Sequence, residues 1–576
     1  MTRLWNDPAS FADEMVDGFV LANGRWVRKV AGGVSRTTQS ADPEVAVVIG
    51  GGSGHYPAFG GLVGPGLAHG AAMGNLFASP SAHQVEGVIR ASERGQGVLL
   101  SFGNYAGDVL HFGAAQDAVR KDGIDCRTVV VTDDIFSAPP SEKERRRGIA
   151  GDLTVFKAAG GAAAAGYGID EVERVAVAAN ARTRSMGVAF TGCTLPGADD
   201  PLFTVPDGKM AIGLGIHGEP GIDITKIPSA DGLAELFVER LLDPTEIPEG
   251  ATARGGRVVP ILNGLGSVKN EELYVVYARI AELLEGAGLT LVDPHVGEFC
   301  TSFDMAGVSL TLFWVDDELE RLWLAPAETP AFRTGSVDHA GLEAVSVRDD
   351  EAAEVELPPS SEESRRAAQV ICHALEAMRD LIDSQAAELG RIDAIAGDGD
   401  HGIGMRRGTV AAAETAASLV TRGAGAESLL ARCGDAWSDR AGGTSGAIWG
   451  LILRTLGAHL GDTESTTPAS LASGIVAAKT AVMDYGKAKV GDKTMVDALV
   501  PFADTLAARL DAGETLADAW RHAAFAAAEA AEATADLLPA MGRARSHGAK
   551  SLGTPDPGAV SLALIADRVH AVLVAG

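Results

Sequence analysis

A chain of 576 residues is long for one domain, and its composition, 46% hydrophobic and 22% charged, is that of a globular protein in water. Forty-eight basic against 77 acidic residues leave a net charge of −29, which argues against nucleic acid as the main partner, because phosphate backbones need basic patches. The five cysteines (Cys126, Cys193, Cys300, Cys372, Cys433) form no C-x-x-C pair, the N-terminal residues lack an apolar signal core, and no long, strongly apolar run offers a membrane span, so a reducing, cytoplasmic setting is expected.

From about Glu44 to Leu324, short β-branched runs alternate with helical stretches. VAVVIG (Val45–Gly50), GVLLSFG (Gly97–Gly103), TVVVTDD (Thr128–Asp134) and LTLFWV (Leu310–Val315) read as strands, several of them ending in glycines or acidic residues. Strand, glycine turn and helix in succession predict an α/β domain whose sites gather at strand ends. GLGIHGEPG (Gly213–Gly221) sets His217 among glycines, in a sharp turn with little bulk beside it. Residues 331–362 are irregular and become rich in proline, serine and acid, which reads as a linker. From residue 363 onward, apolar residues three and four apart, among many alanines and leucines, predict an all-helical domain.

Within the helical half, RIDAIAGDGDHGIGMRRG (Arg391–Gly408) holds Asp393, Asp398 and Asp400. Spacings of five and two do not put three carboxylates on one helix face; they fit a helix end running into a glycine-bent loop. Oxygen-only ligands of this kind suit Mg²⁺ bridged to phosphates, and a solvated acidic loop with capping aspartates is the plainer alternative. AGGTSGAIWG (Ala441–Gly450) is a glycine turn entering an apolar helix, open to two readings: a phosphate cradle at a helix N-terminus or a close helix–helix contact. No G-x-x-x-x-G-K-[ST] occurs at these sites, so a nucleotide bound here is not held by a P-loop.

Taken in order, these pieces resemble the ATP-dependent dihydroxyacetone kinase family in its single-chain form. GGGSGHYP (Gly50–Pro57), NYAGDVLHF (Asn104–Phe112), GLGIHGEPG and TSFDMAGVSLTL (Thr301–Leu312) match its ketose-binding domain. GDGDHG (Gly397–Gly402), GGTSGAIWG, GDKTMVDAL and PDPGA (Pro555–Ala559) match its nucleotide-binding domain. The resemblance implies an α/β ketose-binding domain of two α/β subdomains over residues 1–330, then the linker, then an all-α helical-barrel domain for ATP and Mg²⁺ over 363–576.

It also implies roles. His217 is the nucleophile that anchors the ketose as a covalent hemiaminal, Asp108 the general base, and His55 a hydrogen-bonding partner that assists proton transfer. Gly51, Gly52, Gly103 and Asn104 lie at the substrate, and Asp393, Asp398 and Asp400 hold Mg²⁺. His401, Gly443, Thr444, Ser445, Gly446, Thr494, Met495, Arg543, Lys550, Asp556 and Gly558 match positions near the nucleotide. Read without the family, Asp108 is a helix cap and His55 and His217 are structural histidines. A homodimer is expected by the same resemblance, with the linker long enough to place the helical domain over its own or a partner's ketose domain.

Three departures cluster at the proposed pocket: Gly103 stands where the family commonly has a lysine, Tyr56 where it has an acid, and His111 where it has asparagine. Lys550 stands for an arginine. Loss of the lysine removes a charge and opens volume, which points to a ketose one carbon longer, erythrulose. Alternatives are dihydroxyacetone itself, cyclisation of FAD, a regulatory relative without activity, and a phosphocarrier protein as donor. Retention of His217, Asp108 and all three loop aspartates speaks against the regulator, and fusion of the two domains favours free ATP.

Overall fold

The computed structural model describes residues 4–575 except 220, 340–341, 346–356, 397–398 and 542–549. The chain divides into two compact units, Met1–Val347 and Arg348–Gly576.

The first unit opens with helix α1 (Phe11–Asn23) and a six-stranded sheet. Its strands are β1 (Val27–Val30), β2 (Gly33–Arg36), β4 (Ala46–Ser53), β5 (Gly70–Leu76), β6 (Val98–Gly103) and β7 (Cys126–Val131), with the short β3 (Thr38–Ser40) set apart. The order is β1-β2-β5-β4-β6-β7; β5, β4, β6 and β7 run parallel, while β1 and β2 pair antiparallel at one edge. β4 and β6 are buried along their whole length, as their unbroken apolar runs require. Helices α2 (Ala82–Ser92) and α3 (Ala106–Lys121) pack on the sheet through Val85, Val88, Ile89, Phe112 and Val119.

Next come α4 (Asp152–Ala164) and α5 (Ile169–Ala181), then a second, seven-stranded sheet. It contains β8 (Thr183–Ala189), β9 (Lys209–Ile212), β10 (Asp223–Lys226), β11 (Arg257–Gly264), β12 (Thr290–Leu291), β13 (His295–Gly297) and β14 (Gly307–Val315). The order is β10-β9-β8-β14-β11-β12, with β13 also on β11; only β12 and β13 pair parallel to β11. Helices α6 (Ala230–Leu241) and α7 (Asn270–Gly286) cover one face. Every residue of α4 from Asp152 to Ala163 is buried, so this apolar, glycine-bearing helix sits at the centre of the unit and joins the cores of the two sheets.

The unit does not end at residue 330. Beyond α8 (Asp317–Trp323), β15 (Ala327–Glu328) pairs with β16 (Arg333–Thr334), Phe332 is buried, and β17 (Leu342–Ala344) lies antiparallel on β3. The first part of the stretch expected to be linker is therefore folded against the α/β unit.

The second unit is a ring of helices: α9 (Glu362–Ala396), α10 (His401–Thr421), α11 (Ala426–Ala441), α12 (Gly443–Leu460), α13 (Pro468–Gly486), α14 (Val496–Asp511), α15 (Leu516–Ala533) and α16 (Pro557–Ala575). Each packs on the next and α16 returns to α9, which closes the barrel. The interior is filled by Met405, Leu429, Trp437, Leu453, Val482, Leu506 and a long series of alanines, with Trp437 and Trp449 stacked 4.9 Å apart. Small residues let the helices approach closely, which is why the sequence is so rich in alanine. All five cysteines are buried and unpaired.

Candidate active site

In the α/β unit the site forms around the GLGIHGEPG turn that follows β9. Gly218 has φ +83°, and a side chain there would collide with the ring of Phe203, so the turn requires glycine. His217 lies within it, buried. Its Nδ1 is 3.3 Å from Glu219 Oε1, and its backbone N–H donates to Glu219 Oε2 at 3.1 Å. Its Nε2 faces Nε2 of His55 at 3.0 Å, while His55 Nδ1 donates to the carbonyl of Thr301 at 2.7 Å.

The acceptors decide where the hydrogens sit. A carbonyl and a carboxylate only accept, so each imidazole directs its Nδ1–H outward and the two Nε2 atoms meet. One proton between them completes that hydrogen bond, and Glu219 supplies the opposite charge. Arg147 holds Glu219 in turn at 3.6 Å and is itself bound to Asp134 at 2.9 Å and to the Gly213 carbonyl at 3.1 Å. Phe77 stacks on His55 with centroids 5.0 Å apart and meets His217 edge-on; Tyr105 meets His217 edge-on at 4.7 Å and donates its hydroxyl to the Gly148 carbonyl at 2.9 Å. The pair of histidines is thus enclosed by aromatic walls and backed by one carboxylate.

Of the residues expected here, His55 and His217 are brought together. Asp108 lies buried in the first turn of α3, one turn after Tyr105. Gly103 ends β6, and a Cβ there would stand 3.1 Å from the Tyr105 ring and 3.3 Å from the Gly148 carbonyl. Asn104 donates its amide to the carbonyls of Glu144 and Arg146 at 3.0 and 2.8 Å, which fastens the neighbouring loop. Gly51 and Gly52 make room for this chain's own Phe59 ring and Phe77 backbone. Glu219, Tyr105 and Phe77 were missed. Glu219 sits inside the HGEPG turn, two residues from the histidine, and that spacing was a usable signal; Phe77 adopts φ +53°, which no motif announces.

In the helical unit, the buried His401 begins α10. Its backbone N–H donates to Asp393 Oδ2 at 2.9 Å; Nδ1 lies 3.3 Å from Ser445 Oγ, and Nε2 lies 3.0 Å from Ser561 Oγ, a partner not foreseen. Gly443, Thr444, Ser445 and Gly446 form the first turn of α12. Thr494 and Met495 lead into α14, with the Thr494 N–H donating to Asp497 Oδ2 at 2.7 Å. Asp556 accepts from the Ala559 N–H at 2.7 Å across the turn containing Gly558, and burial raises its carboxyl to about 7. Lys550 is exposed. Asp398 and Arg543 lie outside the described residues.

Burial, then the neighbouring charge of Asp393, pushes the Asp400 carboxyl up to about 7. A buried carboxylate whose ionisation a neighbouring carboxylate opposes suits a divalent cation, which reverses that penalty. Among the described residues no three His, Cys, Asp or Glu side chains already form a metal cluster.

An α/β unit with a glycine-turn histidine, followed by a closed helical barrel with Asp393 near the end of α9 and Asp400 at the N-cap of α10, defines a two-domain kinase architecture. The profile of the Dak1 domain matches residues 17–331 and that of the DAK2 domain residues 395–571. The chain belongs to the dihydroxyacetone kinase family, in the form that carries both domains in one polypeptide. It is 58% identical over 574 residues to the L-erythrulose kinase of Pectobacterium atrosepticum, covering 100% of this chain and 97% of that one. It is 51% identical over 576 residues to the D-erythrulose kinase of Mycolicibacterium smegmatis, covering 99% and 98%. The crystal structure of the dihydroxyacetone kinase from C. freundii in complex with AMP-PNP and Mg²⁺ superposes with a TM-score of 0.51 at 29% identity, covering 99% of both chains.

Proposed function

We propose that this chain is an ATP-dependent erythrulose kinase that phosphorylates a terminal hydroxyl of the ketose. Full-length identity above one half to kinases named for erythrulose is the observation that carries the substrate. Gly103 is consistent with it, since no cationic side chain projects from the end of β6. The two relatives are named for opposite enantiomers, so the hand of the substrate is the open variable.

The residues of the α/β unit supply the anchoring step. The Nε2 lone pair of His217 attacks the ketone carbon and a C–N bond forms. The carbonyl π pair moves to oxygen, which takes the proton held between the two Nε2 atoms, leaving His55 neutral. Glu219 offsets the charge that then resides on His217. Anchoring fixes the terminal hydroxyl before transfer, the role orientation plays in lowering such barriers. Asp108 accepts the hydroxyl proton as that oxygen attacks the γ-phosphorus of ATP. Asp393, Asp398 and Asp400 would hold Mg²⁺, which when bound neutralises phosphate charge. His401, Ser445 and Thr494 would face the nucleotide.

ADP release with Mg²⁺ and ATP over dihydroxyacetone, D-erythrulose, L-erythrulose and a pentulose tests the reading. Strong turnover of one erythrulose enantiomer, abolished by His217→Ala, is expected. Preference for dihydroxyacetone overturns the tetrulose assignment, and silence on every ketose overturns the kinase assignment.

A further inference from the structure

Among the described residues two lysines are buried, Lys157 and Lys493. Lys157 lies on α4 and donates to the Leu322 carbonyl of α8, a tie within the core of the α/β unit. Lys493 stands in the turn before α14 and is 2% exposed, and the reaction above gives it no task. Its Nζ donates to two backbone carbonyls from a distant part of the chain, Ser551 at 2.7 Å and Leu537 at 3.2 Å. Asp556 and Asp536 lie near enough to favour the charged ammonium. The backbone is a second, independent observation. Lys493 has φ +60°, in the left-handed region that is unfavourable for a residue with a Cβ and open to glycine. The turn alone would be better served by glycine, so it is the side chain that accounts for a lysine there.

The carbonyls it holds flank the nucleotide side of the helical unit. Ser551 follows Lys550 and leads to the PDPGA turn, and Leu537 follows the end of α15. The same two stretches meet at further points. The Ala540 N–H donates to the Asp492 carbonyl at 3.0 Å, and the Gly553 N–H to the Ala535 carbonyl at 2.9 Å. A Cβ on Gly558 would lie 3.4 Å from the Met495 Cβ, so the PDPGA turn rests against the residue two positions after Lys493. Thr494 and Met495 on one side, and Lys550, Asp556 and Gly558 on the other, are thereby held in one arrangement. All five are nucleotide residues in the reading above. The ammonium itself is committed to the carbonyls, so Lys493 acts through these neighbours.

We propose that Lys493 is a positioning residue for the nucleotide: its ammonium joins the turn before α14 to the segment before α16 and keeps both in the nucleotide-competent arrangement. This rests on the reading of the helical unit as the ATP domain. Without the ammonium two carbonyls lose a charge-assisted donor, and the competent arrangement becomes a minor population. Apparent nucleotide affinity then falls by that fraction. The ketose residues belong to the other compact unit and keep their own properties.

Full-length wild type, Lys493→Met and Lys493→Gly are compared by titration calorimetry with AMP-PNP and Mg²⁺, and by steady-state kinetics on erythrulose. Methionine keeps a long apolar stem and loses the donors. Glycine loses them too but relieves the backbone, so it serves if the methionine variant does not fold. In both, Kd for AMP-PNP and KM for ATP are expected to rise about tenfold at unchanged stoichiometry, with kcat within about threefold and KM for erythrulose unmoved. A lysine with a stability role alone lowers the unfolding midpoint and leaves Kd where it was. Wild-type nucleotide affinity in either variant therefore overturns the proposal; in the glycine variant it shows that only the backbone matters. Absence of AMP-PNP binding in wild type overturns the ATP-domain reading and this proposal with it, whereas wild-type binding matched by the variants overturns this proposal alone.

Discussion

The shared proton between His55 and His217 makes Glu219 the residue that sets how readily the pair can carry charge. Glu219→Gln keeps the shape and removes the counter-charge. Its expected effect is a fall in kcat/KM for the ketose of about tenfold, with KM for ATP unchanged, as read by steady-state kinetics. At Gly103 the expected outcome concerns choice of substrate: Gly103→Lys crowds Tyr105 and restores a cation, so the ratio of kcat/KM for erythrulose to that for dihydroxyacetone falls. Away from the site, His69 uses its Nδ1 lone pair to accept from the Val47 N–H at 3.1 Å and the Arg36 guanidinium at 3.0 Å, while Nε2–H donates to Glu44 at 2.9 Å. Burial and Arg36 lower its pKa from 6.5 to about 4. The unfolded chain therefore binds a proton that the folded one refuses, and stability drops as pH falls from 6.5 to about 4. The drop is on the order of 3 kcal/mol, and urea unfolding of wild type against His69→Gln measures it, since the variant loses that slope. The histidines of the site were legible because each sits in a dense glycine motif. Their partners were not: Tyr105 and Phe77 act through ring placement, which has no sequence pattern.

At the level of elements, the long periodic helices and the unbroken apolar strands could be read directly, because their patterns span many residues. The antiparallel weave of the second sheet could not, since pairing direction depends on connections rather than on strand composition. β15, β16 and β17 are two or three residues long and carry too little alternation to separate them from a linker. In the helical ring, Gly408 on α10 lies against the indole of Trp437 on α11, so that a Cβ would collide with Nε1. Gly408→Ala is expected to destabilise this unit by roughly 1–3 kcal/mol through overpacking, measured by chemical denaturation, while leaving the His55–His217 site intact.

For the whole molecule, two compact units with separate cores imply two separately addressable ligand responses. Calorimetry is expected to show erythrulose raising the transition of the α/β unit and Mg²⁺ with ATP raising that of the helical unit, each by mass action on its own folded state. His217→Ala removes the first shift and spares the second. The pairing of β17 with β3, extended by the Val345 N–H donating to the Thr37 carbonyl at 2.9 Å, has a topological consequence. It returns residue 345 to residue 37 and ties the α/β unit into a closed circuit. A gene fragment that stops at residue 330 severs that circuit, whereas one that stops at 345 keeps it. The minimal autonomous ketose-binding piece is therefore defined at its far end by a strand near its beginning.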